Sequence, residues 1–293
     1  MRTILSGRPS KDVPRTWWRP QISLHTSIVV ILILALVPIY LMLVVSFKNP
    51  LQFMHERWVP SHPLRLGNYG AAWLVVNEYI INTVFVACAG LLGVLIQSLT
   101  CGHVFARMRF PFREPLFYAI IALLMVPWVL SFVPGYMLYH GLGLINTRWA
   151  LIIPNLANGP VFGIFLMRAV ITGIPEELYE AARCDGAGVI REITWITLPL
   201  SLPGLATLAV VNFIGTWNWF LWPLVAVTDR AKQLITVGLY QLTSGGAHGT
   251  AVSMSVWGPL FSGYVIASVP LVILFVFLGR FYVEGLMETG LKV

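Results

Sequence analysis

Charge is what this sequence has least of. Only 11% of its 293 residues are Asp, Glu, Lys or Arg, whereas a soluble domain usually carries about 25%. The hydrophobic fraction is 57% and the mean hydropathy is +0.79. So few charged side chains cannot coat the surface of a soluble globule, and the composition therefore predicts a polytopic membrane protein.

Cysteine is also scarce. The chain has three cysteines and no CxxC pair. Cys88 and Cys101 lie on one predicted helix, about 20 Å apart at the rise of an α-helix, which is too far for a disulfide. This pattern predicts neither a disulfide framework nor a metal site.

Signatures of several enzyme classes are missing. A P-loop ends in Gly-Lys followed by Ser or Thr, but the four lysines of this chain follow Ser, Phe, Ala and Leu. The patterns HExxH and GxSxG do not occur either. We therefore expect no catalytic residues in this chain and no ATP hydrolysis by the P-loop route.

Six apolar stretches each reach the roughly 20 residues that a helix needs to cross a bilayer. They are Ile28–Phe47, Tyr79–Cys101, Leu116–Tyr139, Trp149–Thr172, Leu200–Val227 and Pro259–Tyr282. None of them contains Asp, Glu or Lys, which argues against an ion-coupled carrier or an intramembrane protease, because such proteins keep ionisable groups inside their spans. We predict an all-α membrane domain over residues 26–283, between tails at 1–25 and 284–293.

The basic residues predict the orientation of these spans. With the N-terminus in the cytoplasm, thirteen of the nineteen Lys and Arg residues fall on the cytoplasmic side and six on the other. This bias matches the positive-inside rule, and an even number of spans places both termini in the cytoplasm. The net charge of +7 is thereby explained by topology, so it gives no reason to expect a nucleic-acid partner.

One polar stretch interrupts the apolar runs, Pro175–Pro199, which we call the acidic segment. It holds five of the chain's twelve acidic residues, and the orientation above places it in the cytoplasm. Pro175 suits the first turn of a helix, and Gly186 lies where a helix usually ends in a left-handed residue. We predict a short helix, a sharp glycine turn and a second helix that continues into the fifth span.

The spacing within the acidic segment resembles the EAA-loop signature of ABC importer permeases, EAA-x3-G-x9-I-x-LP, at every fixed position. The matching residues are Glu180, Ala181, Ala182, Gly186, Ile196, Leu198 and Pro199. Residues 143–150, 174–178 and 281–286 are similar to the carbohydrate-uptake (MalG-like) permeases of that family. The resemblance covers most of residues 70–293 and does not reach the first 25.

The resemblance implies a type I importer permease fold with a cytoplasmic coupling helix between spans 4 and 5. It also implies a bacterial inner-membrane subunit that forms a heterodimer with a second permease. Two copies of a separate ATPase would bind ATP and Mg²⁺, so this chain would hold no cofactor. An extracytoplasmic solute-binding protein would deliver a sugar or oligosaccharide.

Carried over to this chain, the resemblance assigns two contact regions. The ATPase-docking and coupling residues would be Glu180, Ala181, Ala182, Asp185, Gly186, Ile196, Leu198 and Pro199. The contact with the binding protein would be a glycine-rich loop made of Ser244, Gly245, Gly246, Ala247, His248 and Gly249. From the residues alone, that loop is equally well a flexible tip.

Polar and aromatic side chains inside the spans are candidates for the substrate path. They are Asn155, Asn158, Asn212, Thr216, Asn218 and Trp219. Sugars are commonly held by side-chain hydrogen bonds and aromatic faces, and the fifth span supplies both. The alternative is hydrogen bonding between helices together with an interfacial aromatic belt.

The solute itself stays open at this point. The alternatives to a sugar are another solute of the same machine, such as a polyol, a glycerol phosphate or a uronate polymer such as alginate. Outside that class, the alternatives are an ion-coupled carrier or a membrane enzyme.

Overall fold

The computed structural model describes residues 18–243 and 257–290, and all regular structure within these ranges is helical. The α-helices are α1 (Trp18–Ser46), α2 (Pro50–His55), α3 (Gly67–Arg107), α4 (Arg113–Ala122), α5 (Phe132–Gly141), α6 (Trp149–Thr172), α7 (Glu176–Cys184), α8 (Val189–Glu192), α9 (Leu198–Leu200), α10 (Leu202–Trp217), α11 (Leu221–Ala226), α12 (Ile235–Thr243) and α13 (Trp257–Gly290). A π-helix spans Ile193–Thr197, and three 3-10 turns span Leu123–Met125, Trp128–Ser131 and Arg230–Lys232. The all-α prediction is confirmed.

Four helices are long and apolar enough to cross a membrane on their own. Within the described ranges they are Ile22–Ser46, Gly67–Arg107, Trp149–Thr172 and Trp257–Phe277. Two bent helix pairs pass the same test together, which brings the total to six if each pair forms one span. The structure therefore agrees with the six predicted spans only if each of the two bent helix pairs is counted as one span.

The third predicted span, Leu116–Tyr139, is not one continuous helix. Its halves, Arg113–Met125 and Trp128–Gly141, meet at an angle of 90°. Pro127 explains the break because a proline pushes the preceding residue out of the helical region. Val126 indeed has an extended backbone, with ψ of 116°.

The fifth span also differs from its prediction. The helix after the glycine turn, Val189–Leu200, was expected to continue into this span, but it is bent by 77° against Leu202–Trp217. Pro203 lies in the first turn of α10. Because proline has no backbone N–H, it cannot donate the hydrogen bond that would join α10 to the preceding helical turn. The span further ends at Trp217 rather than Val227, and α11 follows as a separate helix.

The core of the bundle is built around α3, which contacts α6, α10, α12 and α13. Small residues permit the close approach of α3 to α6. A Cβ added to Gly102 would lie 2.6 Å from the Cβ of Met167, and one added to Gly90 would lie 2.6 Å from Nδ2 of Asn155. This is the packing that membrane helices use where no hydrophobic effect drives them together. We call the end of the bundle that carries the acidic segment the acidic end.

Candidate functional site

The acidic segment begins with a short helix whose C-terminus is closed by a glycine. Pro175 takes the N-cap position, one residue earlier than predicted, and α7 follows it. The backbone N–H of Gly186 donates to the carbonyl of Arg183 at 3.0 Å, and that of Ala187 donates to Ala182 at 2.9 Å. These two bonds form a Schellman motif, which requires a left-handed residue. Gly186 has φ of +78°, so the predicted turn is confirmed.

Tyr179 anchors α7 to the bundle, and the sequence analysis missed it. Its side chain is fully buried. The phenol hydroxyl forms a hydrogen bond with Oγ1 of Thr197 at 3.0 Å, and the guanidinium of Arg107 lies 4.5 Å from the ring centroid. A lone aromatic residue in an acidic, alanine-rich helix was the available signal for this anchor.

Arg107, at the end of α3, holds the start of the acidic segment. It donates to the carbonyls of Ile171 and Ile174 and forms an ion pair with Glu176. Its side chain is only 8% exposed, so these contacts and the ring of Tyr179 replace its lost hydration. Arg107 therefore fixes both the end of α6 and the first turn of α7.

A second group of charges joins the two halves of the acidic segment. Arg183 donates to Glu192 at 2.9 Å and to Glu176 at 3.3 Å. The hydrogen bond that Arg183 donates to the buried Glu192 carboxylate raises the pKa of Arg183 above its usual value. The ion pair between Arg183 and Glu192 thus joins the residues before the Gly186 turn to those after it, so the turn has a fixed angle.

His103 completes this network from α3. Its Nδ1 lies 2.9 Å from Oγ1 of Thr197, and its Nε2 lies 3.6 Å from a carboxylate oxygen of Glu192. Thr197 is the last residue of the π-helix that precedes Leu198 and Pro199. Such wide turns occur frequently at functional sites.

The opposite face of α7 points away from the bundle. Glu177, Glu180 and Ala181 are exposed, and Leu178 is 45% exposed. Within the described part of the chain, Glu177, Glu180 and Asp185 form no ion pair. α7 therefore has one locked face and one unoccupied face.

The predicted docking residues divide between these faces. Glu180, Ala181, Asp185, Gly186, Leu198 and Pro199 are exposed, whereas Ala182 and Ile196 are partly buried. Ile196 packs against the hydrophobic cluster that contains Tyr179. Six of the eight predicted residues are thus exposed at the acidic end, and Ile196 helps to pack the segment against the bundle.

Three of the six candidate substrate-path residues meet in the middle of the bundle. Nδ2 of Asn155 donates to Oγ1 of Thr216 at 2.7 Å, and Nδ2 of Asn212 donates to Oδ1 of Asn155 at 3.1 Å. We call these three residues the amide cluster. Oδ1 of Asn212 is buried and has no hydrogen-bond partner in the described ranges.

The other three candidates do not join the amide cluster. Asn158 donates to Pro154 and Asn218 donates to Ile214, each within its own helix. Trp219 packs against the hydrophobic cluster that contains Trp222.

Some predicted regions lie outside the described residues. These are the loop Ser244–Gly249, most of the N-terminal tail and the last three residues. Among the residues that are described, no group of three His, Cys, Asp or Glu side chains is arranged to hold a metal ion.

Known proteins resemble this chain over most of its length. It is 32% identical to the diacetylchitobiose uptake system permease protein NgcG of Streptomyces coelicolor, over 86% of this chain and 82% of that protein. It is 31% identical to the sn-glycerol-3-phosphate transport system permease protein UgpE of Rhizobium meliloti, over 90% of this chain and 95% of that protein.

The fold is found in a solved structure as well. A chain in the crystal structure of a bacterial ABC transporter involved in the import of the acidic polysaccharide alginate superposes with a TM-score of 0.81. The match covers 93% of this chain and 100% of that chain at 21% identity, which identifies the fold as that of an ABC importer permease.

The family pattern agrees with both results. Residues 98–286 match the family described as the inner membrane component of binding-protein-dependent transport systems. This match favours a transport-system component over an ion-coupled carrier or a membrane enzyme. The chain belongs to the family of binding-protein-dependent transport system inner membrane components.

Proposed function

We propose that this chain is one of two different permease subunits of an ABC importer and lines half of the path for a sugar or oligosaccharide. In this proposal α7 docks on a separate ATPase subunit and transfers its movement to the bundle. The observation that carries the proposal is the contrast between the two faces of α7. Tyr179 locks one face against Arg107 of α3 and against Thr197, while the other face is exposed and forms no ion pair within the described residues.

The exposed face of α7 has the chemistry of a protein contact. Ala181 is small enough to allow close approach of a partner backbone, and Leu178 supplies an apolar centre. Glu177 and Glu180 flank this centre with carboxylates that no described residue neutralises. An ATPase subunit with an apolar groove and basic rim fits this surface, because complementary charge at the rim fixes the register of docking.

ATP is hydrolysed outside this chain. The sequence has no Gly-Lys pair and therefore no P-loop. Two copies of the ATPase subunit bind ATP and Mg²⁺, and this chain contributes no cofactor site. In this proposal the chain takes part in energy conversion only through the movement of α7.

The proposed orientation places the acidic end in the cytoplasm together with both termini. The excess of Lys and Arg on that side supports it. The opposite end of the bundle then faces the solute-binding protein, and the loop Ser244–Gly249 supplies a contact for it.

The proposed solute is a neutral sugar or oligosaccharide. The amide cluster offers only neutral donors and acceptors, which suit sugar hydroxyls, and Oδ1 of Asn212 is free to accept one more hydrogen bond. The relative from Streptomyces coelicolor is named for the uptake of an oligosaccharide. The second candidate is an anionic solute, favoured by the relative named for sn-glycerol-3-phosphate.

Uptake by the assembled transporter tests the proposal. The chain is co-expressed with a second permease subunit, an ATPase subunit and a solute-binding protein and reconstituted into proteoliposomes. We expect a sugar, identified by mass spectrometry on the purified binding protein, to enter only when ATP and the binding protein are both present. Uptake that persists without ATP would contradict the importer proposal, and an anionic ligand on the binding protein would favour the second candidate.

A further inference from the structure

Helix α3 differs from every other membrane-crossing segment in the described part of the chain. It has 41 residues, about 62 Å at 1.5 Å per residue, and contains no proline. By contrast α1, α6 and α13 each contain an internal proline, and the two bent pairs are broken. Because kinks arise mostly at prolines and breaks, α3 is the stiffest element that runs between the two ends of the bundle.

At the acidic end, α3 is attached to the acidic segment through two side chains. Arg107 lies over the ring of Tyr179 and pairs with Glu176. One turn earlier, His103 bonds to Thr197 at 2.9 Å. Both halves of the acidic segment, before and after the Gly186 turn, are therefore fixed to the same helix.

At the opposite end, α3 is attached to the segment that leads into α12. Nδ2 of Asn82 donates to the carbonyl of Ala231 at 2.7 Å, and the backbone N–H of Ile235 donates to Oγ1 of Thr83 at 2.8 Å. The ring of Tyr79 packs against Gly238, where an added Cβ would lie 2.6 Å from the ring. α12 ends at Thr243, directly before the loop proposed to touch the binding protein.

These attachments join two surfaces that the proposed function assigns to different partners. We infer that α3 is a rigid connecting rod between the ATPase-docking helix α7 and the base of the binding-protein loop. Arg107 and Asn82 are its positioning residues: neither touches solute or ATP, and each fixes one end of the rod. This inference rests on the proposed docking of α7. It adds a direct connection through α3 to the covalent connection that runs along the chain from α6 through α7 to α10.

A distance measurement in the complete transporter tests the rod directly. Cys88 and Cys101 are replaced by serine, and spin labels are attached to Cys184, the exposed last residue of α7, and at the exposed position Ile96→Cys. If α7 and α3 move together, the label distance changes by less than about 2 Å when ATP binds and the ATPase closes. A change of more than about 5 Å, the scale of one helical turn, would overturn the inference.

Signalling between the two ends gives a second test. The measured quantity is the stimulation of ATP hydrolysis by the solute-loaded binding protein. Arg107→Ala and Asn82→Ala should each reduce this stimulation by about fivefold or more, the lower range of coupling between sites. The matched controls are Arg109→Ala and Asn77→Ala, because Arg109 is exposed beyond the end of α3 and the side chain of Asn77 accepts a hydrogen bond from the backbone N–H of its neighbour Glu78. Losses in the controls equal to those in the variants would overturn the inference.

The double variant distinguishes one rod from two unrelated defects. If both residues act through α3, Arg107→Ala combined with Asn82→Ala should lose no more stimulation than the worse single variant, because coupled sites are not additive. Multiplied losses would overturn the inference. Arg107→Lys keeps the charge but not the forked donors or the planar stacking, so it should restore only part of the stimulation.

A cross-link separates failure of the rod from failure of docking. Ala181→Cys, on the exposed face of α7, is cross-linked to the ATPase subunit in each variant background. We expect the cross-link to form in all of them, since neither Arg107 nor Asn82 lies on that face. If the cross-link forms and stimulation is unchanged, the rod is refuted and docking stands. If it fails in the otherwise unmodified chain, the docking proposal is refuted.

Discussion

The acidic end and the amide cluster hold their helices together with opposite chemistry. At the acidic end, Arg107, Arg183 and Glu192 form ion pairs and cation–π contacts. In the middle of the bundle, Asn155, Asn212 and Thr216 are linked by neutral hydrogen bonds. A charge at the centre of a bilayer costs about 2.5–3.5 kcal/mol on insertion scales, whereas one near the surface stays close to water.

The two kinds of contact suit the different roles proposed for these regions. Charged pairs give the acidic segment a fixed angle against α3, which suits the transfer of force from a partner. Neutral amides can exchange one hydrogen bond for another at little cost, which suits a passing solute. Four substitutions test this division.

Replacing Gly186 by valine should have the largest effect on transport. A β-branched residue resists the φ of +78° found there, and the left-handed conformation costs an ordinary residue about 1–2 kcal/mol. α7 would change its angle, so we expect uptake to fall at least about tenfold, the factor that 1.4 kcal/mol represents, while the protein remains inserted. The measurement is uptake per inserted transporter. Gly188→Ala is the control because Gly188 has an ordinary extended backbone and free space around it, and normal uptake by Gly186→Val would refute the coupling turn.

Replacing Tyr179 by alanine should destabilise the acidic end. The side chain is fully buried, and truncating a buried aromatic residue typically costs about 3–5 kcal/mol. We expect a lower thermal midpoint for the purified transporter and faster tryptic cleavage after Arg183. Tyr179→Phe keeps the ring under Arg107 and loses only the bond to Thr197, so it should cost about 1 kcal/mol. Equal effects of the two variants would show that the ring stacking contributes nothing.

Replacing Asn212 by leucine should alter solute handling more than stability. Hydrogen bonds between membrane helices contribute about 0.6 kcal/mol on average, so the thermal midpoint should change little. If Oδ1 of Asn212 accepts a bond from the solute, the KM for uptake should rise by about tenfold, since such a bond contributes about 1–1.5 kcal/mol. Thr207→Val is the control because, within the described ranges, the hydroxyl of Thr207 donates to Pro203 of its own helix. An unchanged KM would assign the amide cluster to helix packing alone.

Replacing Glu180 by glutamine should have the smallest effect on the chain itself. The side chain is exposed and forms no ion pair in the described ranges, so the free energy of unfolding should change by less than about 0.5 kcal/mol. Binding of the ATPase subunit should weaken, and its salt dependence should become shallower, because rim charges act through screened attraction. Unaltered salt dependence would remove Glu180 from the docking surface.

Local sequence signals predicted much of the acidic segment. The helix, its acidic first turn and the glycine turn depend on residues within a few positions of one another, so spacing alone is enough to place them. The burial of Tyr179 was not predicted because it depends on Arg107 and His103, which come from another helix. The size of the bends at Pro127 and Pro203 was not predicted because a proline in a membrane helix is compatible with a straight, a kinked or a broken span.

Membrane class, helical content and the spacing of the acidic segment follow from the amino-acid sequence, because hydropathy and turn chemistry are local properties. Which face of α7 is locked, which amides meet and which helix contacts both ends of the bundle depend on tertiary packing. His103 and Thr197 are 94 positions apart, and Asn82 and Ala231 are 149 apart. Contacts over such separations depend on how the helices pack, and no periodicity within a single helix encodes them.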